Sequence, residues 1–340
     1  MPTFIRSAGS ASTAILLAAI GIGLIIGAFT PGFGSVIEGR LDITIFLLIV
    51  LLFLPINVES ALSAVRNIRF TAIAWVANFL VVAPLGVAIA WLTLNGHPLA
   101  MAGLMIYFIA PCTDWFLAFT RLAGGDAALA ATLIPINIVT QIALFPVVAY
   151  FSTSNTTAFD GSSLVEMLLW WFAVPILVAT AIRRGVRLTL GAAQTARVVS
   201  VAESVVPFVL GVMIVQIFAG NLDSVVAERA LLPLAAVAIV AFFALSFGLS
   251  QLAWKAFSLN HAERAALTMT TSARNAPLML ALTVAAIPDQ PLVYSIIILG
   301  MLLEFPHLTA VSHYLRKCAP GDVESAAETP AETVASASRR

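Results

Sequence analysis

Three apolar runs carry residues that could do chemistry. In LTMTTSARNAPLMLALTV (267–284) an arginine, Arg274, stands beside Asn275 and three residues before Pro277. In GLMIYFIAPCTDWFLAF (103–119) a proline, Pro111, is followed by Cys112, Thr113 and Asp114. In LGMLLEFPHLTAV (299–311) a lone carboxylate, Glu304, precedes Pro306. A charged side chain at the centre of a membrane helix costs about 2.5–3.5 kcal/mol on insertion scales, so it marks a functional site by default. Asp114 and Arg274 have the chemistry of an ion pair. Glu304 is a candidate proton or ion carrier, and Cys112 a candidate thiolate ligand for a thiophilic centre. Asn137 and Gln141 lie one helical turn apart and share a face. With Thr113 and Asn275 they offer donors and acceptors to a hydroxyl-bearing solute. Thr132, Thr140, Thr271 and Ser272 are further oxygen donors whose simpler reading is interhelical hydrogen bonding, worth about 0.6 kcal/mol each. His307 and His313 have no Cys or His partner at metal-ligand spacing, so neither is read as a metal ligand and no cofactor is expected.

These assignments require a membrane. The chain has 340 residues, 61% of them apolar and only 10% charged, where a soluble domain carries about 25% charged residues. The composition is that of an all-α polytopic membrane protein, with the lipid bilayer as its first partner. Net charge is zero and no basic patch occurs, so nucleic acid is not an expected partner. Two cysteines, Cys112 and Cys318, do not make a disulfide framework. The sequence lacks HExxH and GxSxG, and Asp114 is the only Asp in the interior of a span, so an intramembrane hydrolase is not expected and the chain is read as a non-enzyme.

A bilayer core needs about 20 apolar residues per helix. Ten segments meet that length, near 12–29, 41–60, 70–94, 99–120, 127–151, 164–182, 201–220, 230–254, 264–287 and 291–315. If the N-terminus is cytoplasmic and the ten alternate, Arg40 and Arg229 face outward and Arg274 lies in the membrane. All other Lys and Arg residues fall inside, as the positive-inside rule demands. Both termini are then cytoplasmic, in a cell membrane. Residues 1–11 form a cytoplasmic N-terminus, and 316–340 an Ala/Glu/Ser/Pro-rich tail expected to be disordered.

The two halves, 12–152 and 164–315, show a faint repeat. QIALFPVVAYF (141–151) and MLLEFPHLTAV (301–311) align at an offset that also places Asp114 opposite Arg274. Five spans precede the midpoint and five follow, so the halves enter the membrane with opposite orientation. Inverted repeats with interrupted helices at matching positions are a mark of secondary transporters, whose substrate site lies where the interruptions meet. Spans 4 and 9 are expected to break near Pro111 and Pro277 and to cross, bringing Asp114 to Arg274.

The run 103–151 resembles spans 4 and 5 of the arsenical-resistance permeases, a branch of the bile acid:sodium symporter superfamily. The matching residues are Ala110-Pro111-Cys112-Thr113, Leu122-Ala123, Gly125-Asp126, Asn137 and Gln141. LLEFPHL (302–308) is similar to that branch's last span. The resemblance implies ten helices in two inverted five-helix repeats, a core and a panel domain, and crossing breaks in helices 4 and 9. It also shows departures. Sodium-coupled members carry a Glu and a Gln where this chain has Thr270 and Arg274, so sodium coupling is not expected. Typical arsenite permeases carry Asn-Asn and a following Glu where this chain has Arg274-Asn275 and Pro277.

The combined expectation is proton-coupled efflux of a metalloid of the arsenite or antimonite type. Cys112, Thr113, Asn137, Gln141 and Asn275 would bind the solute, and Asp114, Arg274 and Glu304 would handle charge and protons. The alternative is transport of a small organic anion, with Arg274 gripping its carboxylate.

Overall fold

The computed structural model of the protein describes residues 2–55, 67–113, 115–153 and 169–319. Asp114, and the tail from residue 320, lie outside the described residues. Among those described, every regular element is helical. The helices are α1 (Pro2–Phe29), α2 (Pro31–Glu38), α3 (Leu41–Phe53), α4 (Ile68–Leu94), α5 (Pro98–Ile109), α6 (Phe116–Leu122), α7 (Ala127–Ala131), α8 (Leu133–Thr153), α9 (Val174–Gly220), α10 (Leu222–Ala227), α11 (Leu231–Ala256), α12 (His261–Ser272), α13 (Ala276–Ala286) and α14 (Pro291–Lys317).

Local signals set many of the starts. Pro31, Pro98 and Pro291 open their helices, where a missing N–H is no loss. Asn260 accepts from the Glu263 amide while Glu263 reaches back to the Asn260 amide, a capping box that starts α12. Asp126 caps α7 by accepting from the amides of Ala128 and Leu129.

Five stretches are long and apolar enough to cross a bilayer: Ile68–Leu94, Ala127–Phe151, Val174–Gly220, Leu231–Ala256 and Pro291–Lys317. Thr13–Phe29, Leu41–Phe53, Pro98–Ile109 and Ala276–Ala286 are shorter apolar helices. Two of these, α5 and α13, are short because an interruption cuts them, and α3 is followed by residues outside the described set.

Some helices run beyond the expected spans. Helix α1 begins at Pro2. The stretch between the spans expected at 164–182 and 201–220 is helical from Val174 onward except at Gly191, whose φ of 82° and ψ of 179° are open to glycine but strained for other residues. No proline intervenes between Pro175 and Pro207, and the segment is rich in Arg, Leu and Ala, all good helix formers.

The helices pack in two groups. Helices α1, α2 and α3 pack on α9; α4 to α8 pack with α11, α12 and α14. The groups meet where α13 touches α3 and α14 touches α1. Polar contacts at the helix ends fall into two sets. At one end Arg183 Nη1 donates to the carbonyls of Leu54 and Pro55, Arg69 to that of Phe257, and Asn67 to Glu263. At the other, Gln216 donates to the Ile37 carbonyl and Asn221 to Glu38. The first set includes Arg69 and Arg183, which charge sorting assigns to the inside, and the second lies near the stretches that carry Arg40 and Arg229, assigned to the outside.

Candidate functional site

The centre of the larger group is built from two broken helices. Pro111 cannot donate to the ladder of α5, and its ring forces the preceding residue out of the helical region. Ala110 accordingly takes φ −107° and ψ 103°. On the other side α12 stops at Ser272, Ala273 is extended at φ −82° and ψ 138°, and α13 restarts with Pro277 in its first turn. The two extended pieces run antiparallel, with Pro111 opposite Arg274. The Cys112 amide donates to the Ala273 carbonyl at 3.0 Å, and the Asn275 amide to the Ala110 carbonyl at 2.8 Å. Each break thus satisfies backbone groups that the other exposes, the condition for non-helical chain at membrane depth.

Arg274 is completely buried. Its Nη1 donates to the Phe108 carbonyl at 2.9 Å, and its Nη2 to the carbonyls of Thr270 at 3.2 Å and Thr271 at 2.5 Å. These are last-turn carbonyls of α5 and α12, which have no helical partner of their own. The guanidinium carbon lies 5.3 Å from the centre of the Phe242 ring. Three carbonyl bonds at about 1.5–3 kcal/mol each, the range for bonds to a charged group, suffice to offset the insertion cost. The expected Arg274–Asp114 pair involves a residue outside the described set.

Glu304 on α14 is also fully buried and holds both breaks. Its Oε1 accepts from the Arg274 amide at 3.0 Å and from Trp115 Nε1 at 2.9 Å, and its Oε2 accepts from the Tyr107 hydroxyl at 3.0 Å. Tyr107 fits because residue 300, one turn before Glu304, is glycine. A Cβ there would lie 2.6 Å from the ring carbon Cζ of Tyr107.

A patch of amides and hydroxyls lies beside the crossing. Asn137 and Gln141 are both buried on one face of α8, as their spacing predicts. Asn275 Nδ2 donates to Thr113 Oγ1 at 3.0 Å and, more weakly, to Gln141 Oε1 at 3.4 Å. Asn78 and Asn137 both donate to Thr270 Oγ1, at 3.1 and 3.4 Å. Asn78 Oδ1, Asn137 Oδ1 and Gln141 Nε2 in this patch are buried without a hydrogen-bond partner among the described residues, as are Ser272 Oγ and Arg274 Nε at the break itself. An unsatisfied buried polar atom costs about 1–3 kcal/mol, so the cluster is a place where a solute, an ion or water would find hydrogen-bond partners.

Cys112 is buried at the crossing, whereas Cys318 is exposed just beyond α14. The structure does not bring every candidate there. Thr140 serves Trp75, accepting from its Nε1 at 3.0 Å. Thr132 and Thr271 donate back into their own helices. His307 stacks on Phe243 with ring centres 4.5 Å apart, and His313 contacts the Thr309 carbonyl.

Sequence reasoning missed Asn78, Tyr107 and Trp115. Asn78 had a detectable signal, as a lone amide within an apolar span; in the structure it lies in a π-helical turn, Ala77–Val82, of the kind common at functional sites. The two aromatic residues had none, since they blend into apolar sequence.

The chain is 24% identical over 317 residues to the arsenical-resistance protein Acr3 of Corynebacterium glutamicum, an alignment spanning 87% of this chain and 85% of that protein. Residues 42–228, more than half of the sequence, match the Sodium Bile acid symporter family. With its apolar helices and two interrupted segments crossing in a buried polar centre, the chain belongs to that family of membrane transporters.

Proposed function

We propose that this protein exports a neutral metalloid hydroxide, arsenite or antimonite, across the cell membrane in exchange for protons. The observation that carries the reading is the patch of unpartnered buried amide atoms of Asn78, Asn137 and Gln141 at the helix crossing, where Cys112 is also buried. Arsenite near neutral pH is chiefly an uncharged trihydroxide. Asn78 Oδ1 and Asn137 Oδ1 would accept from its hydroxyls, and Gln141 Nε2 would donate. The similarity to an arsenical-resistance protein supports the same substrate class.

Cys112 supplies the soft ligand. Its thiol displaces one hydroxyl from the metalloid, forming a sulfur–metalloid bond and releasing water; hydrolysis of that bond reverses the step and frees the solute. A single sulfur keeps release easy. Glu304 is the proton carrier of this scheme. Of its three partners only the Tyr107 hydroxyl can turn from donor to acceptor, so the proton would reside on Oε2.

In this reading ten spans form two inverted repeats with both termini cytoplasmic, and alternating access is motion of the α1–α3 and α9 group against the rest. The two sets of polar contacts at opposite helix ends support that parity. The organic-anion alternative is less well supported. A carboxylate is gripped by paired N–H groups, whereas Nη1 and Nη2 of Arg274 already bond backbone carbonyls and only its Nε is without a partner.

The test is arsenite and antimonite sensitivity of cells that lack their own exporter, with and without this protein. It is paired with metalloid uptake into everted vesicles under an imposed pH gradient. Protection and pH-driven uptake are expected. Protein present in the membrane with no protection against either metalloid would overturn the substrate assignment.

A further inference from the structure

We propose that the Arg274 guanidinium is a tethered cation occupying a cation site formed by two half-helix C-termini, so that the transport cycle proceeds without binding an alkali cation. The inference rests on the transporter reading above and concerns its coupling. A helix C-terminus carries roughly half a negative charge, concentrated on its last carbonyls. Helices α5 and α12 both end at the crossing, and the carbonyls of Phe108, Thr270 and Thr271 converge there. Two such ends sum to about one negative charge, which matches one monovalent cation. The Glu304 carboxylate, 3.0 Å from the Arg274 amide nitrogen, adds negative character to the same spot. The Phe242 ring presents its electron-rich system 5.3 Å from the guanidinium carbon.

Secondary transporters use unwound carbonyls and half-helix C-termini to coordinate coupling cations such as sodium. Here Arg274 is fully buried, and its own side chain bonds those carbonyls. A covalently attached cation cannot be released at one side of the membrane and rebound at the other. It supplies the charge that holds the two half-helices together but carries no ion gradient. The family's sodium symport would on this account be replaced here by a permanently filled site.

The experiment uses the purified full chain and reads ligand-induced thermal shifts, so it needs no transport substrate. Wild-type protein is titrated with sodium, potassium and guanidinium at low millimolar concentration and constant ionic strength. Arg274→Ala and Arg274→Lys are treated alike. Wild type should show no saturable shift with any of the three. Arg274→Ala should melt lower than wild type, and guanidinium or sodium should restore a saturable rise of roughly 2–4 °C at ~10-fold excess over its Kd. Arg274→Lys, which keeps a tethered charge, should melt above Arg274→Ala. A saturable sodium shift in the wild type would overturn the proposal without recourse to any variant. So would an Arg274→Ala protein blind to both guanidinium and sodium, or an Arg274→Lys protein no better than Arg274→Ala. Because the readout is cation binding, a wrong substrate assignment leaves these outcomes intact.

Discussion

Glu304 gives the sharpest test of how the crossing is held, because its substitutions separate hydrogen bonding from charge. In Glu304→Ala the Trp115 indole N–H, the Arg274 amide and the Tyr107 hydroxyl all lose this acceptor. Each lost acceptor costs about 1–3 kcal/mol, so the loss is about 3–9 kcal/mol before any cavity is counted. That is a large part of a total stability of about 5–15 kcal/mol. Glu304→Gln behaves differently. Its Oε1 still accepts both N–H groups, and its amide donates to a Tyr107 hydroxyl that has turned. What it loses is the charged half of these bonds, about 1–3 kcal/mol in all. Thermal unfolding at a matched scan rate should therefore place Glu304→Gln several degrees above Glu304→Ala, at about 2 °C per kcal/mol. Midpoints within a degree of each other would show that the three contacts do not hold the site. The glutamine variant then reports on the proton. It should still exchange labelled metalloid across vesicles at equal pH, but a pH gradient should no longer drive accumulation. Wild-type accumulation in Glu304→Gln vesicles would remove Glu304 from the coupling mechanism.

Four other perturbations follow from the geometry. Cys112→Ser should lower metalloid resistance with the protein still present in the membrane, while Cys318→Ser should change neither; full resistance with Cys112→Ala would remove the thiolate from the mechanism. Gly300→Ala drives a methyl group toward the Tyr107 ring and should cost about 1–3 kcal/mol, seen as a lower unfolding midpoint. Gln141→Met removes an amide whose Nε2 has no partner among the described residues, so stability should change by less than about 1 kcal/mol while uptake falls; unchanged uptake would place Gln141 outside the solute site. Asp114→Asn, Arg274→Gln and their combination form a cycle read by thermal stability. Strictly additive losses would show that the two side chains do not interact.

The parts of this site legible in the sequence were those that violate an apolar pattern. Pro111 and Pro277 in the middle of spanning segments announced the breaks, and the backbone around them is interrupted as that requires. Asn137 and Gln141 announced a buried polar face by their spacing, and Glu304 a buried carboxylate by its isolation. The long helix through residues 183–200 was not legible, because a search for apolar spans skips the arginine-bearing stretch although its backbone propensities favour a helix. The role of Arg274 was legible only in part. A search for its partner looks for an acidic side chain, since side chains are what a sequence displays. The acceptors it meets in the structure are backbone carbonyls, which every residue has and which matter only when a helix stops. The breaks and the arginine are therefore one feature. Stopping two helices inside a membrane strands carbonyl groups that lipid cannot satisfy, and burying a guanidinium there demands acceptors. Each would be costly alone, and the crossing at Pro111 and Arg274 lets each offset the other.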